Sequence, residues 1–399
     1  MINFSSTVFL DHETHKEFQT TELQPGDLVF TKIGAYIGDV AYLPNIYSKY
    51  NFSQNVAGVK IKKDMISSEY LLCYFLSKYG HSQILRYSML SGQGKLELED
   101  VRNIAIVEIS HKFQKYCSLI INKIEQIKDN MGKFYKDAEN LLLENLGPQE
   151  IDRKPKLSYV KNFSDTQNAN RIDAEYFQPK YDEIINKIKS YSNGWDILDD
   201  IALIKKGIEI GADAYTEDGI PFIRVSNLNK FGITDNSQQY LSEKLYEDLK
   251  SKYQPKKDDI LLSKDGTPGI AYFLSENPQK MIISGGILRL VIKNKEYLPE
   301  YVTLVLNSIF VQEQIEQKSS GALIKHWLID EIKNTVIPKL EIAKQQEIVD
   351  KIKEATLAKK QSKRLLEIAK RGVEKAIEES EDIAMQWMNE HMEALGVSL

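Results

Sequence analysis

Apolar residues recur along this chain in two long stretches whose steps alternate between four and three. In the first, Phe113, Cys117, Ile120, Ile124, Ile127, Met131, Phe134, Ala138 and Leu141 keep a 3.5-residue spacing. That is the seam of a coiled coil rather than the broader stripe of an ordinary amphipathic helix. In the second, Ile348, Ile352, Ala355, Leu366, Ala369, Val373 and Ala376 keep the same step, and Lys359 and Ser362 weaken its middle. About thirty helical residues rising 1.5 Å each make a rod of roughly 45 Å. Gly147-Pro148 ends the first stretch as a C-cap and breaker. A coiled coil needs a mate, and the nearest mate for each helix is the other. The pattern therefore predicts an antiparallel pair within one chain. Packing of each helix on its own domain, or on a second chain, stays open at this point.

Elsewhere the apolar runs are short and punctuated by Gly, Asn and Asp, which reads as strands. They fall at 28–31, 39–43 and 56–61, and again at 201–204, 221–225, 259–263, 270–274, 281–283 and 288–292. Helices are expected at 68–85, 180–191 and 299–317, and a polar, irregular linker at 154–170. The class is α+β, with a small twisted sheet in each of two domains.

The two halves nearly repeat each other at an offset of about 231 positions. Gly26-Asp27-Leu28-Val29-Phe30-Thr31-Lys32 answers Asp258-Asp259-Ile260-Leu261-Leu262-Ser263-Lys264, and Gln24-Pro25 answers Gln254-Pro255. Gly38, Ala41-Tyr42, Ser53 and Ser91-Gly92 answer Gly269, Ala271-Tyr272, Ser284 and Ser320-Gly321. Each copy closes on one of the seam helices. So long a period means two similar domains, not a solenoid of small repeats. The second copy carries a stretch, roughly 195–239, for which the first has no counterpart, so either the first domain is a type shortened at its amino end or the chain is a truncated product.

Composition changes this picture only a little. The 399 residues are 42% apolar and 27% charged, ordinary for globular protein with room for two cores. Residues 1–10 show neither a basic stretch nor a small-residue cleavage site, and no apolar run reaches the length of a membrane span. Two cysteines make no disulfide framework, and cytoplasm is the expected compartment. The net charge of -5 argues mildly against a nucleic-acid partner, and residues 196–333 hold 17 Lys and Arg against 21 Asp and Glu. Any contact with DNA has to come from local basic loops or from a partner that supplies phosphate contacts.

Several segments together carry a family resemblance. They are Arg171-Ile-Asp-Ala-Glu-Tyr-Phe-Gln-Pro-Lys-Tyr, Gly219-Ile-Pro-Phe-Ile-Arg-Val-Ser-Asn-Leu, Asp258-Asp-Ile-Leu-Leu-Ser-Lys-Asp-Gly and Pro338-Lys-Leu-Glu-Ile-Ala-Lys-Gln-Gln-Glu-Ile. In this order, and with a seam helix after each copy, the chain resembles the DNA-specificity (S) subunit, HsdS, of type I restriction–modification systems. The resemblance implies two target-recognition domains that each read half of a bipartite double-stranded DNA site, with the paired helices as spacer. It also implies a non-catalytic role in phage defence. Two methyltransferase (M) subunits would bring S-adenosylmethionine, and a restriction/translocase (R) subunit would bring ATP and Mg where it joins. The domains expected are 1–110 and 195–338, the spacer helices 111–147 and 339–399 with its tail, and a linker with short helix at 148–194. A 45 Å rod matches about 13 base pairs, so half-sites about one helical turn apart are expected. A silent first domain would instead leave a half-specificity subunit, a scaffold or a decoy.

Base reading needs paired donors or acceptors, and phosphate contact needs cations on flexible backbone. The candidates are Lys32, Tyr36, Gln54, Asn55, Gln93 and Lys95 in the first copy. In the second they are Lys205, Lys206, Arg224, Asn227, Lys264, Arg289, Lys325 and His326. The loops ending in Lys95 and Lys325 occupy equivalent places after glycine-bearing segments. Any one of these residues could equally be a solvated surface charge, and Arg224 a structural ion pair. His12, Glu13, His15 and His111 lack the further ligand and second shell of a metal site. No phosphate cradle, amino-methyltransferase motif or nucleophile elbow is present, so catalysis is not expected of this chain.

Overall fold

The computed structural model describes residues 7–34, 36–90, 94–147, 154–235, 237–319 and 325–399. Along the chain run α1 (His12–Glu17), β1 (Leu28–Thr31), β2 (Val40–Tyr42), β3 (Val56–Val59), α2 (Ser68–Leu76), α3 (Lys78–Leu90), α4 (Leu98–Arg102) and α5 (His111–Asn145). Next come α6 (Phe163–Ala169), α7 (Pro179–Lys189), β4 (Trp195–Ile197), α8 (Leu198–Ile201), β5 (Ala202–Lys206), β6 (Tyr215–Thr216), β7 (Ile220–Ile223), β8 (Leu228–Asn229), β9 (Gly232–Ile233) and β10 (Gln239–Leu241). Then follow α9 (Glu243–Tyr253), β11 (Ile260–Ser263), β12 (Asp265–Gly266), β13 (Ala271–Phe273), β14 (Ile282–Ile283), β15 (Ile287–Ile292), α10 (Pro299–Asn307) and α11 (Ile309–Lys318). The chain closes with β16 (Lys325–His326), α12 (Ile329–Lys333), β17 (Val336–Pro338), α13 (Ile342–Glu378) and α14 (Glu381–Glu393). Two compact units result: residues 1–131 with 357–399, and residues 132–356.

The duplication holds down to single hydrogen bonds. Sheet β2-β1-β3 of the first unit matches β13-β11-β15 of the second. Leu28 faces Tyr42 and Val59, and Ile260 faces Phe273 and Leu290, in the same register. Tyr70 donates its hydroxyl to Val107 O at 2.7 Å, and Tyr301 donates to Pro338 O at 2.8 Å. Gln114 accepts from Ser67 N at 2.8 Å, and Gln345 from Leu298 N at 2.9 Å. Gly38 and Gly269 have φ of +90° and +92°, and a Cβ on either would collide with Ile84 or its counterpart Ile315. Only glycine suits that left-handed backbone without strain.

The second unit extends this body. β5 pairs with β15 to give the four-stranded order β13-β11-β15-β5. A second four-stranded sheet, β14-β7-β10-β6, stands beside it, with the ribbons β17-β4, β12-β16 and β8-β9.

Several elements differ from expectation. The single helices predicted at 68–85 and 299–317 are each broken by a serine with extended backbone, Ser77 and Ser308. Each serine turns its hydroxyl back onto the carbonyl three residues earlier, Tyr74 and Val305, both at 2.6 Å. That competes with the helix ladder while the apolar pattern runs on through it. The expected linker contains α6, which begins on an Asn162–Asp165 capping box and ends on Asn170 at φ +49°. The expected tail contains α14, whose Ala384, Met388 and Met392 are buried in the first unit's core.

The long helices pair antiparallel, as the pattern predicted. Within the first unit, Phe113, Cys117, Ile120, Ile121, Ile124 and Ile127 share a core with Ala358, Leu365, Ile368, Ala369 and Val373. Within the second, Lys351 Nζ lies 5.5 Å from the centre of the Phe134 ring. The seam itself drifts. Tyr135, Leu142 and Leu365 are buried where Phe134, Leu141 and Leu366 were expected, and these three are only half-buried. Met131, Ile352 and Ala376 are half-buried as well, while Ala138, Ile348 and Ala355 are buried. The shift is one residue forward in α5 and one residue back in α13.

Candidate nucleic-acid interface

One end of the second unit's sheet gathers most of the cations named from the sequence. β11 runs out at Ser263, and the next residue, Lys264, donates its N–H to Gly286 O at 2.9 Å. The Lys264 carbonyl accepts from Trp327 N at 2.9 Å. The β12–β16 ribbon continues from there, with Asp265 opposite His326 and Gly266 opposite Lys325. Lys206, at the end of β5, lies opposite Leu288 near the start of β15, at this same end of the sheet. Lys205, Lys206, Lys325 and His326 are exposed.

Asp265 clamps this corner. It is 2.5 Å from Lys264 Nζ and 2.8 Å from His326 Nδ1. Burial pushes its carboxyl up, but the hydrogen bonds from Lys264 and His326 outweigh burial and hold it below the ordinary aspartate range. Asp265 and His326 thus join the two strands of the ribbon, while Lys325 and Lys206 are exposed. Lys206 has a loose partner in Glu209, at 3.6 Å.

The first unit repeats the corner. Lys32 donates its N–H to Asn55 O at 2.8 Å, and its carbonyl accepts from Leu96 N at 3.0 Å. Lys32, Asn55 and Lys95 therefore meet at the matching end of β2-β1-β3, with Gln54 and Tyr36 exposed nearby. The hydrogen bonds align Lys95 with His326, one residue beyond Lys325. Lys95 is 2.7 Å from Glu97. Gln93 lies outside the described residues, as does most of each glycine-bearing loop.

Three sequence candidates sit elsewhere. Arg289 is buried, 3.1 Å from Asp259, and donates to Gln254 O at 2.9 Å. Asn227 is fully buried and accepts from Arg224 N at 3.0 Å. Arg224 Nη2 donates to Ser237 O at 2.6 Å. All three shape the 224–237 segment or the sheet beneath it. Residue type alone does not separate such internal pairing from a ligand contact.

Two features escaped the sequence reading. Lys230, at the β8–β9 turn, lies 4.3 Å from the Tyr135 ring centre and 3.5 Å from Glu139, fastening that hairpin to the second half of α5. The middle of α13 exposes Lys359, Lys360, Lys363 and Arg364 within six positions, a charge run of which the heptad pattern marks only Lys359. No group of three or more His, Cys, Asp or Glu among the described residues is placed to hold a metal. No helix among them is long and apolar enough to cross a membrane.

Duplicated small sheets, each followed by a seam helix and each ending in a polar corner, define the class. The sequence model of the type I restriction modification DNA specificity domain matches residues 4–128 and again 193–368. The chain belongs to that family. Solved structures similar to it include the HsdS subunit from Thermoanaerobacter tengcongensis, at 15% identity over 94% of this chain and 81% of that one, with a TM-score of 0.32. Another is the type I restriction-modification S subunit from M. genitalium, at 11% identity over 92% and 83%, with a TM-score of 0.37. A third is the type IIG restriction endonuclease BpuSI, at 12% identity over 58% and 36%, with a TM-score of 0.35. Comparison with curated proteins finds no match.

Proposed function

We propose that this chain is the non-catalytic DNA-recognition subunit of a type I restriction–modification complex. The observation that supports it best is the same polar corner at the same end of two duplicated sheets: Lys32, Asn55 and Lys95 in one, Lys206, Lys325 and His326 in the other. A duplicated reader suits a bipartite target. Lys206 and Lys325 would follow phosphates, while Gln54, Asn55 and His326 have the donors and acceptors that base edges require. The paired helices would act as spacer and as the docking surface for two methyltransferase subunits carrying S-adenosylmethionine. A translocating nuclease using ATP and Mg joins them in the complete system. With a net charge of -5, the chain depends on local cations and on its partners for affinity.

The test is salt-dependent binding of DNA by the chain reconstituted with its methyltransferase. Lys206→Ala and Lys325→Ala should each weaken binding and reduce the slope of log K against log salt by about 0.9. An unchanged slope would return both residues to the solvated surface.

A second reading is favoured by the acidic balance of the chain, a net charge of -5. In it, the first unit does not read DNA, and the chain works as a half-specificity subunit, a scaffold or a decoy. Assembly with methyltransferase but no sequence-specific retention of DNA would select it.

A further inference from the structure

A short segment leaves β5 at the candidate interface and lies along residues 283–287. Gly207 N–H donates to Ile287 O at 3.0 Å, and Ile208 N–H to Ile283 O at 3.1 Å. Gly285 N–H returns a bond to Ile208 O at 2.8 Å, so Ile208 bridges Ser284 in parallel. Only glycine at 207 permits so close an approach, because a Cβ there would collide with the carbonyls of Ile283 and Ser284. Ile208 and Ile210 pack against the core cluster around Phe222, Leu241 and Ile282. Glu209 between them faces outward, with its side chain 72% exposed.

The Glu209 carboxylate lies over Gly285, where any Cβ would run into Oε1 and the carbons behind it. A Cβ on the next residue, Gly286, would come within 3.5 Å of Asp265 Oδ2. Two carboxylates thus share a floor of two glycines, and their surroundings differ. Asp265 is held by Lys264 and His326, whereas Glu209 reaches Lys206 at a loose 3.6 Å. An ion pair so exposed adds little to stability. In the first copy Asn55 O accepts from Lys32 N as Gly286 O accepts from Lys264 N, which aligns Gln54-Asn55 with Gly285-Gly286. One corner therefore presents carboxamides from the turn itself. The other leaves its turn bare and lays a carboxylate over it.

We infer that Glu209 determines specificity in the second unit by accepting a hydrogen bond from cytosine N4 in the major groove, an assignment that rests on the reading of this corner as a DNA interface. A carboxylate among cations that follow phosphates is repelled by the same backbone, so it weakens binding wherever no base donor meets it. It can only accept. In the major groove guanine and thymine show it acceptors alone, and adenine sets the N7 acceptor beside its N6 amine. Cytosine N4 is a donor with no acceptor on the same base edge. The bridged backbone holds the carboxylate in place before DNA arrives, while its tip stays free to bond.

The experiment maps methylated sites genome-wide for the full chain co-expressed with its methyltransferase, as wild type, Glu209→Ala, Glu209→Gln and Gly285→Ala. Glu209→Ala should admit every base at one G·C position of one half-site, raising methylation of sites altered there by about tenfold. All other positions should keep their definition. Glu209→Gln gains a donor beside its acceptor and should shift the same position toward adenine. Gly285→Ala should relax that position as well, because its Cβ displaces the carboxylate with Glu209 still in the chain. Hydrogen–deuterium exchange over 283–287 should stay native in both Glu209 variants. Motifs unchanged in all three variants would overturn the proposal and leave DNA recognition by the chain standing. Loss of every site with native exchange would overturn it too, and relaxation at an A·T position would overturn the choice of cytosine. No motif in the wild type would overturn the proposed function and this inference with it.

Discussion

Gln83 and Gln314 perform the same task in two differently covered places, so truncating each to alanine separates hydrogen bonding from burial. Gln314 is 2% exposed and makes three bonds: Nε2 to Phe310 O at 2.8 Å and to Val336 O at 2.9 Å, and Oε1 from Val336 N at 2.9 Å. Its removal strands the Val336 N–H away from water, at about 1–3 kcal/mol. The emptied space and the weakened carbonyls bring the total to about 3 kcal/mol. Gln83 makes matching bonds to Ala105 and to Tyr79 O, the latter at 3.3 Å, and a further one to Tyr74 Oη at 3.0 Å. Ala105 is exposed, so water can replace the amide, and the loss should be about 1 kcal/mol. Hydrogen–deuterium exchange measures each unit separately, which a single unfolding curve of a two-unit chain does not. Protection over 309–318 and 335–338 should fall about a hundredfold in Gln314→Ala. Over 78–88 it should fall about fivefold in Gln83→Ala. Equal losses would show that cover does not set the energetics.

Further tests address the spacer, the turn and the clamp. Ile124→Asp with Ile127→Asp places two carboxylates in the helix core, and it should abolish co-purification with methyltransferase while the second unit keeps its exchange protection. Intact assembly would contradict a docking role for the helix pair. Gly38→Ala and Gly269→Ala each combine a positive φ with a collision, so each should destabilise its own unit by about 2 kcal/mol or more in local exchange. A neutral result would mean that Ile84 or Ile315 yields freely. The Asp265 carboxyl is held below its ordinary value, so the stability it contributes is present above the unfolded aspartate pKa and is lost as pH falls through the lower folded one. Trp327 emission should change in that acid window, and Asp265→Asn should remove the transition. A transition that survives the substitution would assign it to another group.

Much of this fold is legible in the sequence because it is written twice. The four-and-three apolar steps place both long helices, and the repeated Asp-Ile/Leu-Leu/Val-Leu/Phe-Ser/Thr-Lys segment places β1 and β11. The repeat also implies the shared register that Leu28 and Ile260 display. What stays hidden are features decided by one residue's backbone or by tertiary neighbours. Ser77 and Ser308 break helices without interrupting the apolar pattern. The seam passes forward to Tyr135 in α5 and back to Leu365 in α13, which a strict heptad does not show. At the candidate interface, clustering of Lys206, Lys325 and His326 follows from strand order, which the sequence leaves open. Arg289 and Asn227 looked like DNA-contacting types, yet Asp259 and the Arg224 backbone engage them inside the domain. The Asp265 clamp stays hidden because its partner His326 lies far along the chain.

The most direct measurement is a genome-wide map of methylated sites after co-expression of this chain with its methyltransferase subunit. A bipartite motif with a fixed gap of unread bases is expected, and the Lys206→Ala, Lys325→Ala double variant should leave fewer of its sites methylated without changing the motif. Full assembly with no methylated motif would contradict DNA recognition by this chain. A palindromic motif or a single half-site would contradict two working readers.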